Sequence, residues 1–460
     1  MRKRFSLKTL PVSIAGLFLL LAAVVTTGQL CPGGGDLEPP VPFTMEIWRP
    51  ADRSGDFTPA VEAYQAVYPH VSFNIRTMDP ETYEDELFAA WSKGEGPDIF
   101  SVPNWRLGKF REFISPMPQQ ATLRQSVAEK SFGRTVITVT ENTVQFPSTA
   151  QVRDRFVDAV YHDAVYEDQI FGLPYSFDTL VMYYNRDLLA RAQVAVPPTT
   201  WEEFRNAVQA MTQYDEDNKI VQPAAAIGTA DNIPYFMDIL SSIMMQNGAD
   251  MVTETGRIDF IGETESGRLA GVEALDFYTK FSDPAFRTYT WDDNQLGALE
   301  AFTQGTLGFY FGYYGDRAVI DNRAPNLNYS YAKIPQVDLN NQVNIARYPI
   351  EAVHIGSENA DHAWNFINYL SQQDQVSAFL DSTGRIPAVK SLIGTKQEDS
   401  EIGIFAQQAL TAKTWYHGVD PDTTLLAFRE MVNEAIAKAS PIEEIVALAQ
   451  RKVSLTFQSD

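Results

Sequence analysis

The chain has 460 residues, 45% hydrophobic and 12% aromatic, with a formal net charge of −23. That composition is globular, and the roughly 415 residues behind the N-terminal forty are too many for one core and comfortable for two domains. The acidic balance argues against nucleic acid or an anionic membrane surface as the main partner, and a single cysteine excludes an internal disulfide framework and any cysteine-rich metal site.

At the N-terminus, Arg2, Lys3, Arg4 and Lys8 precede the apolar run 11–25, the pattern of an export signal. The run is long for a signal core and short for a comfortable membrane span. Cys31 behind it invites a lipidated mature N-terminus, although Gly28 and Leu30 stand where a lipobox usually carries leucine and a small residue. Cleavage after Thr26-Thr27-Gly28 and an uncleaved anchor are the alternatives, and all three readings export the body. Residues 1–30 are read as the export segment. Residues 31–42, glycine-rich and then proline-rich, are read as a tether without a core-forming pattern.

Phe43 to Trp48 reads as a strand, followed by a loop that carries Arg49 and Asp52. Phe57, Val61, Tyr64 and Val67 recur at helical spacing, and Val71 to Ile75 is strand-like. Asp79-Pro80 has the cap and first-turn proline of a helix start, with Tyr83, Leu87 and Trp91 on the apolar side. Gly94 to Phe100 is a turn into a buried strand, which leads to a loop with Asn104 and Trp105. This order predicts a parallel α/β sheet. Residues 119–166 match no pattern beyond the strand-like Thr135 to Thr140.

Gly172 and Pro174 punctuate the next stretch, Tyr175 to Tyr184 is rich in aromatic and β-branched residues, and Thr200 with Glu203 forms a capping box. Such a stretch serves either as a passage between two lobes or as an ordinary strand–loop–helix unit. Tyr214 to Ile220 clusters carboxylates but lacks the glycine and bidentate glutamate of a calcium loop, so a polar hairpin turn is expected. Tyr235 precedes a helix, and Gln304 to Arg317 combines Phe309, Phe311, Tyr313, Tyr314 and Asp316. Residues 347–355 read as extended, 359–370 as a helix, and the chain beyond Pro387 as helical, with a capping box at Ser440 and Glu443.

Several of these segments carry a family likeness. Gly172-Leu-Pro174 followed by Asp178, Tyr184-Asn-Arg-Asp-Leu-Leu189 and Pro197-Pro-Thr-Thr-Trp-Glu-Glu-Phe204 resemble the hinge region of the sugar-binding (family 1) extracellular solute-binding proteins of ABC importers, the maltodextrin-binding-like group. Gly94 to Phe100, Pro234-Tyr-Phe236, Gln304 to Arg317, Ala363-Trp-Asn-Phe-Ile367 and Thr383-Gly-Arg-Ile-Pro387 are similar to further family segments. Together they span most of 43–460. The resemblance implies a two-lobed, periplasmic-binding-protein-like (type II) α/β fold, each lobe a mixed or parallel sheet flanked by helices, with three hinge crossings. It divides the chain into 43–175 plus 355–385 for one lobe and 177–350 plus 388–460 for the other. It further implies a monomeric, extracytoplasmic carrier, lipid-anchored at Cys31 or periplasmic. Such a carrier hands a carbohydrate to a permease by hinge closure, without catalysis, cofactor, metal or nucleic acid.

A sugar presents apolar C–H faces and a rim of hydroxyls, so it is gripped by aromatic rings and by polar groups that pair with each hydroxyl. The candidate rings are Trp48, Trp105, Tyr175, Tyr235, Tyr313, Tyr314 and Trp415 with Tyr416; the candidate polar groups are Arg49, Asp52, Asn104, Asp178, Asp316, Arg317 and Arg347. Three alternatives stand beside the sugar. The adjacent Tyr313 and Tyr314 could hold ferric iron as hard oxygen ligands, as ferric-binding relatives do. Two carboxylates flanking one bond would make a glycosidase. Arg49, Arg317 and Arg347 could serve a phosphate-bearing solute such as glycerol phosphate.

Overall fold

The computed structural model describes residues 37–50, 57–131, 134–264 and 266–457. Cys31 and Asp52 lie outside the described residues, as do the export segment and most of the tether. From Pro39 onward the chain forms one compact unit.

The first lobe is built on a four-stranded sheet in the order Pro349–Val353, Ile99–Pro103, Phe43–Pro50, Val71–Met78. The three N-terminal strands are parallel, connected by the helices Thr58–Val67 and Tyr83–Trp91, as strand–helix alternation requires. The edge strand Pro349–Val353 is antiparallel to Ile99–Pro103. It therefore belongs with the first sheet, earlier than the boundary at 350 and 355 that the sequence suggested. Asp98, just before the third strand, is a structural knot: its carboxylate accepts from the Glu46 amide at 2.9 Å and from the Ser357 hydroxyl at 2.5 Å.

The second lobe centres on an antiparallel sheet, Phe309–Gly312, Val181–Asn185, Tyr329–Lys333, with Ala225 bridging Phe309 in parallel. Trp201–Met211 packs on it because the capping box works as expected: Thr200 Oγ1 accepts from the Glu203 amide at 3.2 Å, and the Glu203 carboxylate accepts from the Thr200 amide at 3.3 Å. Phe204 of that helix meets Phe309 and Phe311 at 5.4 and 5.7 Å, which puts both phenylalanines in the core. The helices Phe236–Gln246, Ala270–Thr279, Pro421–Ala437 and Ile442–Leu455 complete the lobe.

Two expected helix starts differ. Asp79 caps a turn by accepting from the Glu81 amide, and the helix begins only at Tyr83. Ser440 makes no side-chain cap, and the helix Ile442–Leu455 starts after Pro441. Residues 119–166, unassigned from sequence, form a two-stranded ribbon, Gln120–Ser131 against Arg134–Gln145, then the short helices Thr149–Arg155 and Asp158–Ala164. Ala121, Leu123 and Phe146 bury the base of the ribbon against the core. Residues 213–222 make the expected hairpin, its turn held by Asp215.

Three passages of chain join the lobes and bond to one another. In the first, Leu173 bridges Glu351, Thr179 bridges Ala346, and the Arg347 amide donates to the Asp178 carbonyl at 3.2 Å. On its other side, Ser176–Phe177 pairs antiparallel with Ile386–Pro387. Gly172 is needed here for close approach, since a Cβ would stand 2.3 Å from Ile350 Cγ2 and 2.8 Å from the Glu351 carbonyl oxygen.

Arg49, a sequence candidate for the ligand, is instead buried and pairs with Glu351 at 2.9 Å, while Ser101 donates to the same carboxylate at 2.6 Å. The ion pair joins the first and last strands of the sheet to be made. Glu351→Ala should cost about 3–5 kcal/mol, because it strands a buried guanidinium; a denaturation midpoint close to wild type would contradict this assignment.

Candidate functional site

A cavity of about 530 Å³ opens where the three crossings meet the second lobe. Each passage contributes to its wall: Ser176 to Asp178 from the first, Arg347 and Pro349 from the second, Thr383, Arg385 and Ile386 from the third. The second lobe adds Tyr235, the turn Tyr313 to Asp316 and the face of the following helix through Asn322. Seven sequence candidates therefore meet here: Asp178, Tyr235, Tyr313, Tyr314, Asp316, Arg317 and Arg347.

Asp316 organises the turn. Its carboxylate accepts from the Tyr310 hydroxyl at 2.9 Å, the Tyr313 amide at 3.0 Å and the Tyr235 hydroxyl at 3.1 Å. Burial pushes its carboxyl above the ordinary range, against the pull of those donors. The turn closes only because residue 312 is glycine: a Cβ there would sit 2.4 Å from Asp316 Oδ2 and 2.5 Å from the Tyr310 ring. Asp178 accepts from the Thr179 amide at 2.8 Å and the Tyr314 amide at 2.9 Å, tying the first crossing to the same turn. Burial pushes its carboxyl up to about 8, opposed by the Tyr314 amide and the Arg385 guanidinium.

Arg347 is held by Asp238, with Nε 2.6 Å and Nη2 3.0 Å from its two oxygens. Its guanidinium lies 4.6 Å from the centre of the Trp105 ring and 5.9 Å from that of Tyr235. Tyr313 donates to Asp238 at 2.9 Å and is buried, with its ring edge-on to Tyr235 at 4.9 Å. Burial raises the Tyr313 phenol well above its usual range, since a phenolate beside Asp238 would be doubly penalised. Tyr313 thus supports the wall and is poorly suited to be half of a two-phenolate iron site. Among the described residues, no group of three or more histidines, cysteines or carboxylates is placed to hold a metal ion. Tyr314 is partly exposed, flanked by Phe405 at 5.3 Å and by the Arg317 guanidinium at 5.1 Å.

The remaining candidates do not line this cavity. Trp48 is buried beneath Arg76, and its carbonyl accepts from Tyr83. Tyr175 packs on Phe57 and Phe379, and Trp415 on Phe428, both in the core. Asn104 is buried between Asp163 and the Tyr348 amide. Trp105 stays partly exposed and touches the site only through Arg347. These residues sit at element ends, where a packed ring and a presented ring look alike in sequence. Sequence reasoning passed over Arg385, Asn322 and Asp238. The first lies in the recognised third crossing and could have been found there; the other two carry no local signal.

A cavity walled by three chain passages between two α/β lobes defines a binding protein of the periplasmic type. The profile of the bacterial extracellular solute-binding proteins matches residues 59–404, and the chain belongs to that family. A binding protein of Brucella abortus (strain 2308) is 24% identical over 341 residues, covering 73% of this chain and 72% of its own. The galactooligosaccharide-binding protein of Bacillus subtilis (strain 168) is 20% identical over 355 residues, covering 76% and 73%. The solved cyclic alpha-maltosyl-1,6-maltose binding protein from Arthrobacter globiformis shares the fold with a TM-score of 0.67. It is 17% identical, with 90% of this chain and 99% of that chain covered.

Asp178 holds its proton more tightly folded than unfolded. Between the ordinary 3.8 and about 8 the native state therefore carries more protons, and stability falls as pH rises. Asp316 acts in the same sense. Asp178→Asn is thus expected to lose less melting temperature than wild type between pH 5 and 8. Parallel curves would show that this carboxyl does not titrate in that window.

Proposed function

We propose that this protein binds a carbohydrate in the interlobe cavity as the substrate-binding component of an ABC importer, releasing it unaltered to a membrane permease. The observation that carries the reading is the cavity wall. Tyr235 and Tyr314 offer partly exposed rings for sugar C–H faces, while Ser176, Asp178, Arg317, Asn322 and Arg385 ring them with hydrogen-bonding groups. The sugar-binding names of the Bacillus and Arthrobacter relatives point the same way.

Hinge closure follows from the three bonded crossings. A ligand that touches both lobes favours the closed state by its differential contacts, and the rotation is absorbed where Gly172 to Asp178, Arg347 and Thr383 to Pro387 run side by side. The exported body works as a monomer tethered through lipidated Cys31 at the outer face of the membrane. Among the described residues no helix is long and apolar enough to cross a bilayer.

A thermal-shift series with galacto- and malto-oligosaccharides tests this reading. A ligand at a hundred times its Kd stabilises the native state by about 2.7 kcal/mol, so a cognate sugar raises the melting temperature. Silence across the series would refute a carbohydrate ligand, and conversion of the sugar, followed by chromatography, would refute a carrier. Tyr314→Ala is expected to weaken binding by about tenfold with little change in the apo melting temperature, because it removes about one ring contact of 0.5–1.5 kcal/mol. Equal affinity would move the ligand away from this wall.

A further inference from the structure

Remote from the cavity, two histidines face one another. His70 stands just before the strand Val71–Met78, and His362 lies in the first turn of the helix Ala360–Leu370. Their Nε2 atoms are 3.4 Å apart, their ring centres 5.2 Å apart and their planes inclined by 76°. The rings of Phe43 and Tyr68 wall the pair, each 5.3 Å from His362, and the Phe43 amide donates to the His70 carbonyl at 3.0 Å.

A direct N–H···N bond explains this arrangement poorly. The separation exceeds the range of about 2.7–3.2 Å for good hydrogen bonds. A shared ion explains the spacing better. Two imidazole nitrogens at about 2.1 Å from one tetrahedral ion stand about 3.4 Å apart, and their ring centres, about 1.1 Å further out, stand about 5.2 Å apart. Both observed separations agree with one point of convergence.

We propose that His70 and His362 form a two-histidine site for a divalent transition-metal ion of the zinc or nickel class. Imidazole is the ligand such ions favour. His362 Nδ1 meets the Tyr64 hydroxyl at 3.2 Å, and Tyr64 is held by Asn365 at 2.9 Å, an outer contact that orients the ring with Nε2 free to ligate. Burial keeps both rings unprotonated near neutral pH, His362 being pushed down to about 4 and His70 lowered. Among the described residues no third histidine, cysteine or carboxylate joins them, so solvent completes the shell and the ion is exchangeable. Bound there, it staples the start of the second strand to the helix Ala360–Leu370, two parts of the first lobe that are 292 residues apart in sequence.

Titration of the purified exported protein with zinc chloride, followed by calorimetry and melting temperature, tests the site. One zinc ion per chain and a rise in melting temperature are expected, with X-ray absorption reporting two imidazole nitrogens. His70→Gln and His362→Gln should each lower zinc affinity by about tenfold or more. His162→Gln, at an exposed histidine elsewhere, should leave it unchanged. If the buried His70 variant does not fold, His362→Gln at the partly exposed position carries the test alone. The assignment is overturned if zinc does not bind, or if wild type and His362→Gln bind it equally.

Discussion

The guanidinium of Arg347 meets groups from both lobes at the second crossing. It sits on the second crossing, is gripped in two places by Asp238 from a second-lobe helix, and stacks on Trp105 from the loop that ends a first-lobe strand. A buried ion pair of this kind contributes little to net stability, because desolvation offsets most of the attraction. Its value is positional. Asp238 also takes the Tyr313 hydroxyl, so the same carboxylate fixes the crossing and the aromatic turn in one geometry. Were Arg347 to swing away, Tyr235, Tyr313 and Trp105 would each lose a defined neighbour.

The carboxylates of the cavity play a related part. Asp316 accepts three donors and Asp178 two, all from the protein itself, so most of their capacity is spent on shaping the wall. What remains turned toward a guest is a mixture of ring faces, guanidinium groups and amide or hydroxyl groups. Such a surface selects by shape and hydrogen-bond placement. The acidic residues of the cavity thus serve first to hold its own wall in place.

Much of the architecture was legible in the residues. Strand–helix alternation from Phe43 to Phe100 gave the parallel sheet, and the Thr200–Glu203 capping box marked its helix to the residue, because both are local devices with local causes. The extended stretch 347–355 was legible, but the place of Pro349–Val353 at the edge of the first sheet was not, since what puts it there is a partner 250 residues away. The site divided along the same line. Tyr235, Tyr313, Tyr314, Asp316 and Asp178 lie in segments with a family pattern, and the fold gathers them. Trp48, Tyr175 and Trp415 were chosen for being aromatic at element ends, and packing against Phe57, Phe379, Phe428 and their neighbours claimed them for the core.

That same late strand has a bearing on how the polypeptide is made. Its ladder with Ile99–Pro103, the Arg49–Glu351 pair and the bond from Ser101 to Glu351 all wait for residues near the three-quarter point of synthesis. Contacts so distant along the chain form slowly, since the intervening loop must close before they can reward it. Until residue 353 has been made, the strand Ile99–Pro103 has no partner on its outer side, so the first lobe cannot be completed from its N-terminal segment alone.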